Sequence, residues 1–299
     1  MKNEKFRNMS PGEKLFTIID YALLLLLVVV IAYPLIYILS ASFSSPQAVI
    51  SGRVILWPVD VTLKGYRAVF QNPKIMTGFR DSVFYTVAGT AINIVMTVLC
   101  AFPLSRREFT ARNKIAAFFV FTMYFSGGLV PTYMLVRNLR MVNTVWAMLI
   151  PTAMSSYNMI ICRTYMVNSI PDELYEACEI DGGTPWQYLV RVVTPLCKPI
   201  LAVMVLYYGV SHWNDYYNAM IFLKKDMLQP LTIVMREILI QNKVDFTMLR
   251  DARAASEMQG LAQLLKYSTI VVASVPVLAI YPFVQKYFVE GVMIGAVKG

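Results

Sequence analysis

Long stretches without a charged residue are the feature that most restricts how this chain folds. Residues 21–52, 82–105, 115–136, 141–162 and 267–285 contain no Asp, Glu, Lys or Arg. Each reaches the roughly 18–20 apolar residues that cross a bilayer as a helix. A shorter stretch, 199–214, continues as YYNAMIFL after the single interruption Asp215. The chain is therefore predicted to be an all-α integral membrane protein with six transmembrane helices.

The composition agrees with this prediction, because 57% of the 299 residues are hydrophobic and 15% are charged. The first apolar stretch is too long for a secretory signal, so an uncleaved anchor is expected. We predict a single transmembrane domain over residues 1–299. Its predicted spans are 16–41, 82–104, 115–137, 145–167, 199–222 and 266–288.

The orientation follows from parity and from the placement of basic residues. An even number of spans puts both termini on one side, together with the loops 105–114 and 168–198. Lys and Arg are equally numerous on the two sides, but four of them fall within the ten residues 105–114. Basic residues near span ends face the cytoplasm. We predict a multi-pass membrane protein with cytoplasmic termini.

Several classes of function are disfavoured by what the sequence lacks. The net charge is +9, but Lys and Arg are spread over tails and loops, so no nucleic-acid partner is predicted. No charged residue lies in the middle of a span, which argues against proton coupling. Sodium coupling through backbone carbonyls escapes that argument. The sequence has no phosphate-binding G-x-x-x-x-G-K-[ST] motif.

An enzyme is not expected either. His212 is the single histidine, and no catalytic residues or metal ligands are identified.

Uncharged polar residues within the spans are candidates for a solute path. Thr86, Thr90, Asn93 and Thr97 recur at helical spacing and share one face. The candidate path residues on this face are Thr90, Asn93 and Thr97. They line a path for a polar solute or join helices by hydrogen bonds, and the sequence leaves both interpretations open. Asn158, in the fourth predicted span, has the same two interpretations.

A second polar and aromatic cluster follows at the outer end of the fifth span, in the run SHWNDYYNAMIFL. Aromatic faces beside amides suit sugar rings, but Trp and Tyr also gather at any membrane interface. Asn214 is the candidate path residue in this run.

The loop between spans four and five concentrates acidic residues. Five of the chain's 18 lie at 172–181, and no Lys or Arg occurs between Arg163 and Arg191. Two short helices are predicted there. Ser169 with Asp172, and Thr184 with Gln187, have the spacing of capping boxes.

Glycine and proline mark the ends of these two helices. Gly182 and Gly183 end the first, Pro185 opens the second and Pro195 ends it. Helices this short are marginal alone in water, so the loop is expected to dock on a partner. The alternative is a solvated acidic face.

The run EACEIDGGTPWQYLVRVVTPLCKPIL, residues 176–201, resembles the EAA loop of ABC importer permeases. It is most similar to the smaller permease of the maltose-type carbohydrate uptake family. Cys178, Val192 and Thr194 depart conservatively from the family pattern.

The resemblance implies a protein of the bacterial cytoplasmic membrane. It also implies a cytoplasmic two-helix coupling loop, residues 169–197, that binds a cytoplasmic ATPase dimer, with ATP and Mg²⁺ bound by that partner and no cofactor in this chain. It assigns to this loop Glu173, Glu176, Ala177, Cys178, Asp181, Gly182, Gly183, Pro185 and Pro195.

The resemblance also implies that the chain forms half of a translocation path for a sugar or oligosaccharide. Its other expected partners are a second permease subunit, an extracellular substrate-binding protein and the lipid bilayer. Two alternatives remain at this stage, which are a sodium-coupled secondary carrier and a membrane scaffold that docks a cytoplasmic partner.

Overall fold

The structure is a computed structural model that describes residues 10–241 and 252–296. It is mostly helical, at 78%, and no strand occurs in the described part of the chain. The helices are α1 Pro11–Ser42, α2 Pro46–Ile50, α3 Lys64–Gln71, α4 Pro73–Ser105, α5 Arg112–Tyr124, α6 Leu129–Asn138, α7 Trp146–Leu149, α8 Ser156–Ser169, α9 Glu173–Ile180, α10 Pro185–Tyr188, α11 Thr194–Leu196, α12 Lys198–Trp213, α13 Tyr216–Phe222, α14 Leu231–Gln241 and α15 Ala252–Ala296. A π-helical turn, Leu189–Val193, joins α10 to α11.

Capping residues explain where the two long helices α1 and α4 begin. Ser10 and Glu13 form a reciprocal capping box at the start of α1. At the start of α4, Asn72 Oδ1 accepts from the backbone N–H groups of Lys74 and Ile75, at 3.0 and 3.3 Å. These contacts satisfy amide groups that a helix leaves unpaired in its first turn.

The described residues fall into two compact units, one within Met1–Gln71 and Ile238–Val272 and the other within Asn72–Glu237 and Ala273–Gly299. In the first unit, Ala41, Ala48 and Leu264 form a small apolar core. The rings of Tyr37 and Tyr267 meet edge to face in that unit, at 5.8 Å between centroids.

The second unit has a larger core, in which α4, α8 and α12 pack together. Met159 of α8, Met204 of α12 and Ala101 of α4 are fully buried in it. Tyr188, from the loop between α8 and α12, is also buried in this core. The loop is therefore anchored to the same helices that it connects.

Three helices are long and apolar enough to cross a membrane by length and composition. They are Pro11–Ser42, Pro73–Ser105 and the Gln259–Ile280 part of α15. Two bent pairs pass the same test if each counts as one span, with bends of 113° between α5 and α6 and 80° between Pro185–Leu196 and Lys198–Trp213. The protein is thus an integral membrane protein with three to five candidate membrane helices in its described part.

Three predicted spans differ from the helices in the structure. The span 115–137 is broken between Tyr124 and Leu129, because Gly128 takes a φ of 82° that no helix continues. The span 145–167 is broken between Leu149 and Ser156, around Pro151, and restarts where Ser155 caps α8. The span 199–222 is broken at Asn214 and Asp215, because Asp215 caps the separate helix α13.

Candidate functional site

A cavity of about 1000 Å³ lies within the second unit, lined by residues of α4, α8, α12, α13 and the segment before α8. The lining is mostly amide, hydroxyl and aromatic. Asp215 is the one Asp, Glu, Lys or Arg among the described lining residues. Its two carboxylate oxygens accept from the backbone N–H and the side-chain amide of Asn218, at 3.2 and 2.9 Å.

Asn93 is held at the wall of this cavity by both ends of its side chain. Its Nδ2 donates to the backbone carbonyl of Thr152, and its Oδ1 lies 2.5 Å from His212 Nε2. Because the amide nitrogen already donates to a carbonyl, Oδ1 accepts and His212 Nε2 carries the hydrogen. Asn93 thereby joins α4 to α12 and to the broken segment before α8.

Gly89 makes room for this contact. It lies one helical turn before Asn93 on α4, and a Cβ atom there would overlap the His212 imidazole. The absence of a side chain at Gly89 therefore permits the imidazole to reach Asn93.

Tyr208 lies in the same wall of the cavity and bonds two of the segments that form it. Its hydroxyl shares a 2.7 Å hydrogen bond with the Thr97 hydroxyl and accepts from the backbone N–H of Ser155 at 3.3 Å. Asn158 is 7% exposed and lines the cavity. Among the described residues no partner bonds its side-chain amide, which leaves that amide available to a solute.

The loop between α8 and α12 begins with the short helix α9. A tight turn joins α9 to α10, which continues through the π-helical turn into α11. Gly182 has a φ of 72°, and its N–H donates to the Glu179 carbonyl at 3.0 Å. The Gly183 N–H donates to the Cys178 carbonyl at 2.8 Å, and a Cβ on Gly183 would overlap Cys178. Thr184 and Gln187 then form a reciprocal capping box, which opens α10.

Arginines of the loop between α4 and α5 anchor this element. The Arg106 guanidinium lies over the Tyr175 ring, 4.0 Å from its centroid, and 5.5 Å from that of Tyr188. Arg107 Nε is 2.8 Å from Asp172 Oδ2. Burial raises the pKa of the Tyr175 phenol, and a hydrogen bond to Glu179 raises it further.

The opposite face of the loop is open. Ile180 is 86% exposed and Trp186 is 63% exposed. Glu173, Glu176 and Ala177 are exposed beside them. Exposed apolar side chains framed by carboxylates are typical of a surface that binds another protein.

No protein-family model matches the chain. The polygalacturonan/rhamnogalacturonan transport system permease protein YtcP of Bacillus subtilis (strain 168) is 36% identical over 287 residues, which cover 96% of this chain and 99% of the relative. The chain belongs to the family of carbohydrate ABC importer permeases.

Other comparisons support this assignment of the permease. Protein LplC of Bacillus subtilis (strain 168) is 35% identical over 271 residues, which cover 89% of each chain. A chain in the crystal structure of a bacterial ABC transporter that imports the acidic polysaccharide alginate has a TM-score of 0.85 at 31% identity, over 94% of this chain and 99% of that one.

A further solved chain shows the fold alone, with a TM-score of 0.55 at 14% identity over 92% of this permease and 95% of that chain. It comes from the alginate transporter in complex with an alginate pentasaccharide-bound periplasmic protein. The resemblance drawn from residues 176–201 is confirmed, and the importer is favoured over the sodium-coupled carrier and the scaffold.

The permease brings together three of the five predicted path residues. Asn93, Asn158 and Asn214 line the one cavity described above. Thr97 instead bonds Tyr208, and Thr90 is buried with no hydrogen-bond partner for its hydroxyl among the described residues. A role in solute transport stays a prediction for all five.

The predicted loop residues form one element in the structure. Glu173, Glu176, Ala177 and Cys178 lie on α9, Asp181, Gly182 and Gly183 form the turn, Pro185 opens α10 and Pro195 lies in α11. The capping box predicted at Ser169 is wrong, because Ser169 ends α8 and the Asp172 carboxylate pairs with Arg107. Asp172 is the residue before α9 and makes no side-chain cap.

Two anchoring residues were missed by sequence reasoning. Tyr208 lies one turn before His212 on α12, so a shared helical face was a signal that could have found it. The contacts of Arg106 with Tyr175 and Tyr188 could not be predicted from a local pattern, because they join residues far apart in sequence.

Proposed function

We propose that this permease forms one half of the translocation path of an ATP-driven importer of acidic oligosaccharides. The observation that carries the path is the cavity, where Asn93, Asn158 and Asn214 face the same space as several tyrosines. Amides donate to and accept from sugar hydroxyls, and aromatic rings pack against the apolar faces of sugar rings.

The acidic substrate class is supported by two relatives. The name of YtcP refers to polygalacturonan and rhamnogalacturonan, and the solved transporter at 31% identity imports acidic alginate. A relative at 28% identity, MelC of Bacillus subtilis (strain 168), is named as a melibiose/raffinose/stachyose import permease protein. The permease is thus more similar to a relative named for polygalacturonan, a polymer of an acidic sugar, and to a chain of an alginate importer than to a relative named for raffinose.

The energy for import comes from outside this chain in our proposal. The loop at 169–197 docks through α9 on a cytoplasmic ATPase dimer, which binds ATP and Mg²⁺. The permease itself is not an enzyme. The exposed Ile180 and Trp186 beside Glu173 and Glu176 support the docking.

The remaining parts of the assembly follow from the same proposal. A second permease subunit completes the path, and an extracellular binding protein delivers the oligosaccharide. The chain spans the bacterial cytoplasmic membrane in six passes, with both termini and the coupling loop in the cytoplasm. The four basic residues at 105–114, beside the loop, support this orientation.

Asn158 provides the direct test of the path. In the complete importer, we expect Asn158→Leu to lower uptake of a labelled oligogalacturonate about tenfold, because an amide that meets hydroxyls is lost from the wall. Asn168→Leu is the matched control, since Asn168 is exposed on the same helix and does not line the cavity. Equal uptake by the two variants would refute a path through this cavity.

Competition by unlabelled sugars tests the substrate class independently of the path. Unlabelled oligogalacturonate should inhibit uptake by the unsubstituted importer, whereas raffinose at the same concentration should not. Uptake must also depend on ATP and persist without a sodium gradient. Inhibition by raffinose alone would contradict the acidic substrate and leave the path intact.

A further inference from the structure

A second pocket, of about 220 Å³, lies beside the coupling loop and is lined by four arginines. Arg106 and Arg107 follow the end of α4, Arg112 begins α5, and Arg163 lies on α8. Asp172 is the one carboxylate among the described lining residues. Glu108, which pairs with Arg106 at 3.1 Å, lies outside the lining. Four guanidinium groups against these two carboxylates leave two positive charges in excess.

Part of this donor capacity is unused within the chain. Arg163 donates to the Leu104 carbonyl at 2.8 Å and to Asn113 Oδ1 at 3.2 Å. Arg106 Nε is buried with no hydrogen-bond partner in the described part of the chain. The Arg112 side chain is half-buried, and its guanidinium makes no hydrogen bond or ion pair with any described residue. Buried donors without acceptors are uncommon in folded proteins.

The helix that begins at Arg112 adds a further positive contribution. Its N-cap residue, Ala111, provides no side-chain acceptor. The first turn of an uncapped helix carries partial positive charge and attracts anions. The arginines and this helix start therefore favour the same kind of ligand.

The position of the pocket indicates which anion it meets. The candidate membrane helix Pro73–Ser105 ends at the pocket, since Phe102 and Ser105 line it. The end of a span lies at the level of the lipid headgroups. Val167, which is 50% exposed, gives the pocket an apolar rim. Basic pockets between membrane helices on the cytoplasmic side bind anionic headgroups.

We propose that this arginine pocket binds a phosphate group, the anion shared by anionic phospholipid headgroups and free phosphate. Guanidinium groups match phosphate oxygens with paired hydrogen bonds. The volume of about 220 Å³ far exceeds the ~10–15 Å³ that a cavity needs to hold one water molecule, so a phosphate and the adjoining ester atoms fit. Binding there would bridge the 106–112 loop, α8 and the coupling loop through Arg107 and Asp172.

The test uses the complete importer in nanodiscs of phosphatidylcholine alone or mixed with phosphatidylglycerol. Native mass spectrometry measures the phosphatidylglycerol that stays bound. A parallel arm adds inorganic phosphate to the phosphatidylcholine nanodiscs and measures the thermal midpoint. Arg112→Gln should weaken binding about fivefold. Lys114→Gln is the matched control, because Lys114 is two residues away and does not line the pocket.

The two arms distinguish the source of the phosphate. Loss of phosphatidylglycerol in Arg112→Gln, without stabilisation by inorganic phosphate, identifies the lipid headgroup. Stabilisation by inorganic phosphate that Arg112→Gln abolishes identifies the free anion. Val167→Asp is a second variant, which places a carboxylate at the exposed rim and should weaken binding without removing any donor. Unchanged binding in both pocket variants, or equal losses in Lys114→Gln, would overturn the proposal.

Discussion

Asn93 illustrates how one amide serves both packing and a candidate path. The sequence left two interpretations for its helical face, a solute path and hydrogen bonds between helices. In the structure Asn93 bonds Thr152 and His212 across helices, and it also lines the large cavity. Thr97, on the same face of α4, does not itself line the cavity, and its hydroxyl bonds the cavity residue Tyr208. The two interpretations are therefore not exclusive at a single residue.

Gly89 gives the sharpest prediction at the scale of a residue. Gly89→Ala should lower the free energy of unfolding by about 1–3 kcal/mol, because its Cβ would overlap the His212 ring and force it away from Asn93. The measurement is the thermal midpoint of the purified permease complex. Gly209→Ala is the control, since a Cβ there would lie 3.8 Å from Thr90 Oγ1, an ordinary contact. Equal midpoints for the two variants would contradict the close packing at Gly89.

At the scale of the helices, the sequence predicted where helices occur better than where they are interrupted. The uncharged runs predicted α1 and α4 correctly, because the backbone N–H and C=O groups of an apolar stretch in a bilayer must bond one another, as they do in a helix. Hydropathy did not detect the breaks near Gly128 and Pro151, because it averages over residues that change the backbone without changing polarity. The coupling loop was predictable where its signals are local, as at Thr184 and Gln187. Its anchors Arg106 and Arg107 were not, because they come from another loop.

The turn within the coupling loop provides a prediction for a whole element. Gly182→Val should uncouple uptake from ATP hydrolysis, because the φ of 72° costs a side chain about 1–2 kcal/mol or more and displaces α9. A Cβ at Gly182 would meet nothing within 4 Å, so the strain is confined to the backbone. Uptake and ATP hydrolysis are measured on the same complex. Gly182→Asn should keep most of the coupling, since Asn tolerates this conformation.

Uptake and ATP hydrolysis by Gly182→Asn show whether backbone strain causes the coupling defect of Gly182→Val. If Gly182→Asn uncouples as strongly as Gly182→Val, the defect arises from the added side chain at the ATPase surface and not from the turn.

At the scale of the whole molecule, the loop at 169–197 and the cavity are connected by two helices. α8 supplies Asn158 to the cavity and ends just before the loop, while α12 begins just after the loop and supplies Tyr208 and His212. A displacement of the loop therefore acts on both helices that carry cavity residues. The buried Tyr188 joins the loop to the core between them. If an ATPase docks at the loop, as we propose, this continuity provides a physical route from it to the cavity.

The exposed face of α9 provides the prediction for the assembly. Ile180→Asp should weaken association with the ATPase about 10- to 100-fold, because burying an isoleucine contributes about 1.5–3 kcal/mol and a buried carboxylate adds a cost. Co-purification of the ATPase with the tagged permease measures this. Ile55→Asp is the control, since Ile55 is 61% exposed between the first and second predicted spans, which by parity is the side of the membrane opposite the loop at 169–197. Retention of the ATPase by Ile180→Asp at the level of Ile55→Asp would show that α9 docks elsewhere or not at all, whereas selective loss would place the energy-supplying subunit against α9.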